Sequence, residues 1–460
     1  MQKFERGRRK FTQPLLGLLL IALLVLGAFK ATEAGPPQRS YPALDLFTEV
    51  FAKVQNLYVK EVDPKQLVYY AIDGMLQNLD SHSSFMTPEM MAEMRLQISG
   101  KYGGLGMQIG KVPNGPIRIE GIFADTPAAR AGLQVKDLIL GIDGQDTTPM
   151  NTQQAANLMR GEPKTTVKIV VQREGWQEPK EFILTREVIT LKSIRKVEVI
   201  DNAYGYIHLA SFQDTSTSEL EEALSKIEKN PGIRGLILDL RNNPGGPLKQ
   251  AIDVADLFLA SGVIVSIRGR AGQQDNREFT AHVSGTHPDY PMIVLVNEGT
   301  ASASEIVAGA LQDHGRAVIL GVKTFGKGSV QTILELKDGS GLRLTTALYY
   351  TPKGRSIQAA GIEPDIVVEN KPRYITPTGK TPRIIREQDL PHHFENPNTA
   401  PDSQPRTAPG TVTPQQEPEE EPEQWIENEA EDIQLQRAIE LLKSWAIFQG
   451  VQQRKSASTR

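Results

Sequence analysis

The chain has 460 residues, 39% of them hydrophobic and 23% charged, with 39 Gly, 30 Pro and no cysteine. Without cysteine there is no disulfide, no Cys-zinc or iron–sulfur site and no thiol nucleophile, and a formal charge of −4 gives no bulk attraction to nucleic acid. The length allows about three domains of ~150 residues, whose chemistry is left to hydroxyl, amine, carboxylate or imidazole groups.

Lys3, Arg6, Arg8, Arg9 and Lys10 open the chain, Leu15 to Phe29 is an uncharged Leu-rich run, and the small residues Thr32 and Ala34 follow. This is the layout of a secretory signal. A helix over that run covers about 22 Å, short of the ~30 Å hydrocarbon core. Counted from Phe11 the uncharged stretch reaches 19 residues, the length of an uncleaved inner-membrane anchor. Either way the body is expected in an exported, periplasmic or extracytoplasmic compartment. Without residues 1–34 there are 45 basic and 53 acidic residues, a charge of −8.

Residues 41–95 read as helical. Leu46, Val50, Val54 and Leu57 step at three to four residues, as do Leu67, Ala71, Met75 and Leu76. From Tyr102 to about Arg186 the pattern changes to glycine turns and short alternating strands. Tyr102-Gly-Gly-Leu-Gly-Met-Gln-Ile-Gly110 reads as a turn feeding an open strand edge, where successive backbone N–H groups can face one carboxylate. A short helix follows at Thr126–Leu133, then a strand and an Asp-Gly turn at Asp137–Gly144. In this order the three elements resemble a PDZ domain over about 96–186. That resemblance implies capture of peptide C-termini by strand addition, at Leu105, Gly106, Met107, Gln108 and Ile109. Lys136 stands where such domains usually have glycine.

From Gly205 onward, strands and helices alternate. Tyr206–Leu209, Gly235–Leu240, Val263–Ile267, Met292–Val296 and Ala317–Leu320 are predicted strands. Glu219–Ile227, Gln250–Leu259 and Ser304–Gln312 are predicted helices, so an α/β layer around a buried sheet is expected over 187–370. Residues 371–424 hold many prolines and end in Glu417, Glu419, Glu420, Glu421 and Glu423, which reads as a disordered acidic linker. In the tail at 425–460, Leu435, Ala438, Ile439, Leu442 and Ala446 make an amphipathic helix. It must dock on the core, on a sister chain or on a partner, and the tail helix at 433–447 is assigned to self-association or adaptor binding.

The sharpest chemical signal is Asn297-Glu-Gly-Thr-Ala-Ser302-Ala-Ser-Glu-Ile306, between an apolar strand and a helix. A serine on such a turn is held exposed beside the N–H groups of the helix start, which can stabilise an oxyanion. Thr300 and Ser304 compete with Ser302 as the hydroxyl, and a small-residue helix cap accounts for the same segment. None of the seven histidines supports a convincing triad: His392 and His393 fall in the linker, His82 in the helical region and His314 at a helix end. A lysine is the other base. Lys327 lies between Gly326 and Gly328, with Phe325 and Val330 to exclude water and no acid within four residues. Burial without a carboxylate partner would supply the neutral amine that a base requires. Gln331 could orient that amine without raising its pKa. Gly321 to Lys327 also matches part of a phosphate-binding loop, but Gly328 replaces the hydroxyl that would hold magnesium.

Together these segments resemble the carboxyl-terminal processing peptidases, or tail-specific proteases, over about 45–370. The shared motifs include Gly74-Met-Leu76, Leu79-Asp-Ser-His-Ser83, Leu238-Asp-Leu-Arg-Asn-Asn-Pro-Gly-Gly246, Thr324–Gln331, Leu344–Pro352 and Gly361-Ile-Glu-Pro-Asp365. The resemblance implies an α/β and β multidomain protein. Its parts would be a ClpP/crotonase-like α/β protease core, an N-terminal helical segment and an inserted PDZ domain. It implies Ser302 as nucleophile, Lys327 as general base and Gln331 as the residue that positions the lysine. The oxyanion hole would come from Ala303 with Gly245 or Gly246. Arg160 would link PDZ occupancy to activity. No cofactor or metal is implied, and the partners are protein substrates with exposed C-termini. Ser81 and Pro247 depart from the usual residues, and Pro247 adjoins the oxyanion loop. A non-catalytic PDZ scaffold is the competing reading.

Overall fold

In a computed structural model of the chain, the residues described are 42–270, 276–369, 385–398 and 432–458. Residues 1–34, expected to be a secretory signal or anchor, and the glutamate run at 417–423 lie outside them. No described helix is long and apolar enough to cross a membrane. The chain divides into two units, up to Ala71 and from Ile72 onward. The first holds helix α1 (Pro42–Leu57) and the start of α2 (Pro64–Gln77).

The second unit continues with β1 (Ser84–Met86) and α3 (Pro88–Ser99), so the segment expected to be helical throughout contains a strand. Helix α3 starts at Thr87, with Pro88 in its first turn, and stops at Gly100, whose φ is +65°. The ribbon β2 (Lys101–Gly104) with β9 (Glu187–Thr190) opens and closes the insertion that follows. Inside it are β3 (Met107–Lys111), β4 (Ile117–Ile122), α4 (Pro127–Arg130), β5 (Leu138–Ile142), β6 (Gln145–Asp146), α5 (Thr152–Met159), β7 (Thr166–Gln172) and β8 (Lys180–Thr185). The sheet order is β3-β4-β5-β7-β8, which leaves β3 as an edge strand. Alternate residues of β4 and β7, namely Ile117, Ile119, Val167, Ile169 and Val171, fill this domain's own core.

The larger domain is built on a six-stranded sheet. Its strands are β10 (Ile194–Ile200), β11 (Tyr204–Leu209), β12 (Gly235–Asp239), β15 (Met292–Val296), β16 (Val318–Gly321) and β19 (Ile366–Val367), in that order. All but β10 run parallel. Such a sheet must be covered on both faces, and it is. One face carries α6 (Ser216–Glu228), α7 (Leu248–Asp256) and α8 (Ala303–Asp313), packed on Ile207, Leu236, Leu238, Val294 and Ile319. A second sheet, β1-β18-β13-β14, adds to that core, with β13 (Val263–Gly269), β14 (Arg277–Thr280), β17 (Ser329–Glu335) and β18 (Gly341–Tyr350). Strand β17 pairs with β18 as a hairpin.

The other face of the six-stranded sheet is covered by α9 (Ile433–Ser458). Ala438 and Leu442 are buried against Tyr204, Tyr206, Ile237, Ile293, Leu295 and Leu320. Gly235 makes room for Leu442, because a Cβ there would lie 3.0 Å from Leu442 Cδ2. The start of α9 is tied down by Arg241, which donates to both Asp432 oxygens at 2.7 Å and, on its other side, to Asp239. The assignment of the tail helix to self-association or an adaptor is corrected here: its stripe at Leu435, Ala438, Ile439 and Leu442 packs on its own domain, because the parallel sheet needs a second cover. The expectation of a continuous linker over 371–424 also fails in part. Residues 385–398 are docked, with a single 3-10 turn at Glu387–Asp389 and Glu387 fully buried. Leu442→Ala should cost about 2–5 kcal/mol in a denaturant melt. An unchanged midpoint would mean that the helix does not hold the sheet.

Candidate active site

Strands β12, β15 and β16 are parallel neighbours, so the three loops at their carboxyl ends emerge side by side. These are 240–247, 297–302 and 322–328, the loops that hold the predicted chemistry. The loop after β15 is shaped by Asn297. Its side chain pairs with Asn242, accepting from Asn242 N at 2.8 Å and donating to Asn242 Oδ1 at 2.9 Å. Thr300 Oγ1 donates to Leu240 O at 2.8 Å and accepts from Asn297 N at 2.9 Å. Ser304 Oγ donates to Asn243 O at 3.0 Å. Both competing hydroxyls are fully buried and committed to the frame. Ser302 is the part-exposed one. It stands immediately before α8 with φ +56° and ψ −115°, a backbone conformation that costs a non-glycine residue energy and must be held in place.

What holds it is Glu305, one turn into α8 and fully buried. Glu305 Oε2 accepts from Ser302 N at 2.8 Å and from Lys327 N at 2.9 Å. Glu305 Oε1 accepts from Gly326 N at 2.8 Å and from Thr324 Oγ1 at 2.5 Å. Ser302 and Lys327 are thus joined at their backbones through one oxygen atom. Burial pushes the Glu305 carboxyl up to about 7, against the hydrogen bonds from Thr324, Ser302, Gly326 and Lys327 that favour its ionised form. In the sequence Glu305 stands inside the Asn297–Ile306 motif with no role of its own. Its place three residues after a helix-capping serine is the signal that could have found it.

The loop after β12 is arranged by Asn243, also fully buried. Its Nδ2 donates to Leu209 O and its Oδ1 accepts from Gly245 N at 2.9 Å. Ala301 N donates to Asn243 O at 3.0 Å, which ties this loop to the serine turn. Gly245 has φ +93°, and a Cβ there would lie 2.8 Å from Ala303 N and 2.9 Å from Ser302 Cβ. Only glycine fits that approach. Gly245 N–H is therefore occupied. Those of Gly246 and Ala303 have no acceptor among the described residues. Pro247 leads directly into α7, where its missing N–H costs nothing.

Burial first, and then the Arg343 charge, push the Lys327 ammonium below its ordinary value; Glu387, Glu305 and Asp80 pull the other way without cancelling this. The expectation of a lysine without carboxylates is corrected here. None is near in sequence, but the fold brings in three. Gln331 Nε2 donates to Ser329 Oγ at 2.9 Å and to Thr345 Oγ1 at 3.4 Å, its cross-strand partner. Thr345 Oγ1 in turn donates to Asp80 Oδ1 at 3.0 Å. His82 lies in the turn before β1 rather than on a helix.

Leu105, Gly106, Met107, Gln108 and Ile109 all line a groove of about 210 Å³ beside the open β3 edge, opposite Ala156 and Met159 of α5. Arg160 also lines it, its guanidinium 5.2 Å from the centre of the Tyr102 ring.

Raised above the ordinary 4.5, the Glu305 group contributes stability that is complete below about pH 4.5 and is lost as pH rises through about 7. Urea melts across that range should show this decline in the parent and not in Glu305→Gln. Parallel pH curves for the two proteins would refute it.

Residues 203–368 match the model of peptidase family S41, and residues 118–173 match a PDZ domain. A carboxy-terminal-processing protease of Bartonella bacilliformis is 43% identical over 356 residues, covering 77% of this chain and 81% of that protein. A carboxyl-terminal-processing protease of Synechocystis is 42% identical over 323 residues, covering 69% and 74%. A solved photosystem II D1 C-terminal processing protease is 31% identical, covers 72% of this chain and 94% of its own, and superposes with a TM-score of 0.43. The chain belongs to peptidase family S41 and is a serine protease of the carboxy-terminal-processing kind.

Proposed function

We propose that this protease is exported, captures the carboxyl termini of other proteins in its PDZ groove, and hydrolyses peptide bonds near them with Ser302 and Lys327. The observation that carries this reading is the single Glu305 oxygen shared by the backbones of those two residues. The strained φ of Ser302 and the lowered pKa of Lys327 support it.

In this mechanism neutral Lys327 takes the proton of the Ser302 hydroxyl as its oxygen attacks the scissile carbonyl. The oxyanion of the tetrahedral intermediate accepts from the N–H groups of Ala303 and Gly246. Gly245 stiffens this hole rather than lining it, because its own N–H is given to Asn243. The C–N bond breaks as the Lys327 ammonium passes its proton to the leaving amine. Lys327, neutral again, then deprotonates the water that attacks the Ser302 ester, and returns that proton to Ser302 Oγ as the C–O bond breaks and the carboxyl product leaves. Gln331 steadies the lysine from β17, and its amide brings no charge that would raise the lysine pKa.

Export rests on the basic-then-apolar layout of residues 1–34. Arg160 lines the groove and is the residue through which groove occupancy would be sensed.

Ser302→Ala and Lys327→Ala should each lower cleavage of casein or of a tail peptide at least about 10³-fold while tail-peptide binding persists. Undiminished cleavage by either variant overturns the dyad. Tail binding without fragments from the parent protein leaves a scaffold instead. Arg160→Ala should lose cleavage of casein yet keep its circular dichroism and melting point. Normal cleavage by that variant removes the coupling role.

A further inference from the structure

The docked segment 385–398 meets the lysine loop at its start, through Arg386 and Glu387. Arg386 Nη1 donates to Lys323 O and Thr324 O, both at 2.8 Å. Glu387 N donates to Phe325 O at 3.2 Å. The fully buried Glu387 carboxylate accepts from His82 Nε2 at 2.8 and 2.9 Å and from Gln358 Nε2 at 2.8 Å. Gln358, also fully buried, accepts Gly328 N at 3.0 Å through its Oε1. Further along, Asn398 Oδ1 accepts from Ser356 N, and the Ser81 hydroxyl donates to Pro391 O.

The lysine loop needs such support. Gly326 and Gly328 flank Lys327 and offer no side chains by which packing could fix it. Its position must come from backbone hydrogen bonds. Glu305 provides those on one side, at Gly326 N and Lys327 N. Residues 386 and 387 provide those at Lys323 O, Thr324 O and Phe325 O, and Gln358 provides the one at Gly328 N. A Cβ at Gly328 would lie 2.2 Å from Gln358 N, so this contact is built into the glycine. A carboxylate is costly to bury unless its donors are supplied. Here they come from His82 and Gln358, residues about 305 and 29 positions away in the chain.

We infer that residues 385–398 are a strap that completes the active site, and that Glu387 is a positioning residue acting on Lys327 through Gln358 and the loop backbone. This rests on the Ser302–Lys327 reading above. A misplacement of about 1 Å in a reacting group costs roughly a hundredfold in rate, so the strap should be read in turnover rather than in substrate capture.

The test uses the full-length protein and a quenched-fluorescent peptide with a free apolar C-terminus. Glu387→Ala should lower kcat about 100-fold with KM and tail-peptide affinity within about twofold of the parent. Glu387→Gln keeps an acceptor for His82 or Gln358, and should recover to within about tenfold of the parent. The inference is overturned if Glu387→Ala keeps kcat within about threefold. It is also overturned if kcat, KM and tail affinity fall together in both variants, as they would for a residue that only stabilises the fold. Full activity in Ser302→Ala or Lys327→Ala, run alongside, would instead remove the dyad reading on which the strap depends.

Discussion

The site depends on one acceptor, the Glu305 carboxylate. An ionised carboxylate has only lone pairs to offer, so it can gather donors but cannot substitute for them. Three backbone N–H groups and one hydroxyl converge on it. An amide in its place would have to aim two of its own hydrogens at that set. The demand for acceptors explains why a carboxyl group is buried at the start of α8, where the helix dipole favours its ionised form against the burial that raises its pKa. Its position fixes two loops against each other, although they belong to different strands.

The sheet makes this possible. Parallel strands deliver their carboxyl ends to the same edge, so loops after β12, β15 and β16 are neighbours without long excursions. Asn243 links the first of them to the second much as Glu305 links the second to the third. The hydroxyls of Thr300 and Ser304 are consumed in the same framework. What remains outside it, at Ser302 and at the N–H groups of Ala303 and Gly246, is the part with chemistry still to offer.

Much of this was legible in the sequence because it is local. The apolar runs of β12, β15 and β16, the glycine-rich start of the PDZ domain and the small residues around Ser302 each declare themselves within ten residues. The stripe Leu435, Ala438, Ile439 and Leu442 identified a helix, but its partner was hidden. Nothing near it in sequence says that Tyr204 and Ile293 need a cover. Glu387 was less legible still. It sits among prolines, has no periodic neighbours, and acquires meaning only through His82 and Gln358. Lys327 shows the same limit from the other side. Its sequence neighbourhood has no acid, yet Glu387, Glu305 and Asp80 all act on it in space.

The pairing of β1 with β18 and the seating of α9 on β11 and β15 have a consequence for how the chain acquires its fold. Ser84 meets Arg343, and Leu442 covers a surface that includes Tyr204. Contacts so distant along the chain make for slow folding, because long loops must close before they are rewarded. As synthesis proceeds from the amino end, Tyr204, Ile237 and Ile293 remain an apolar surface open to solvent until α9 follows. The immature domain therefore carries an aggregation hazard that the mature one does not.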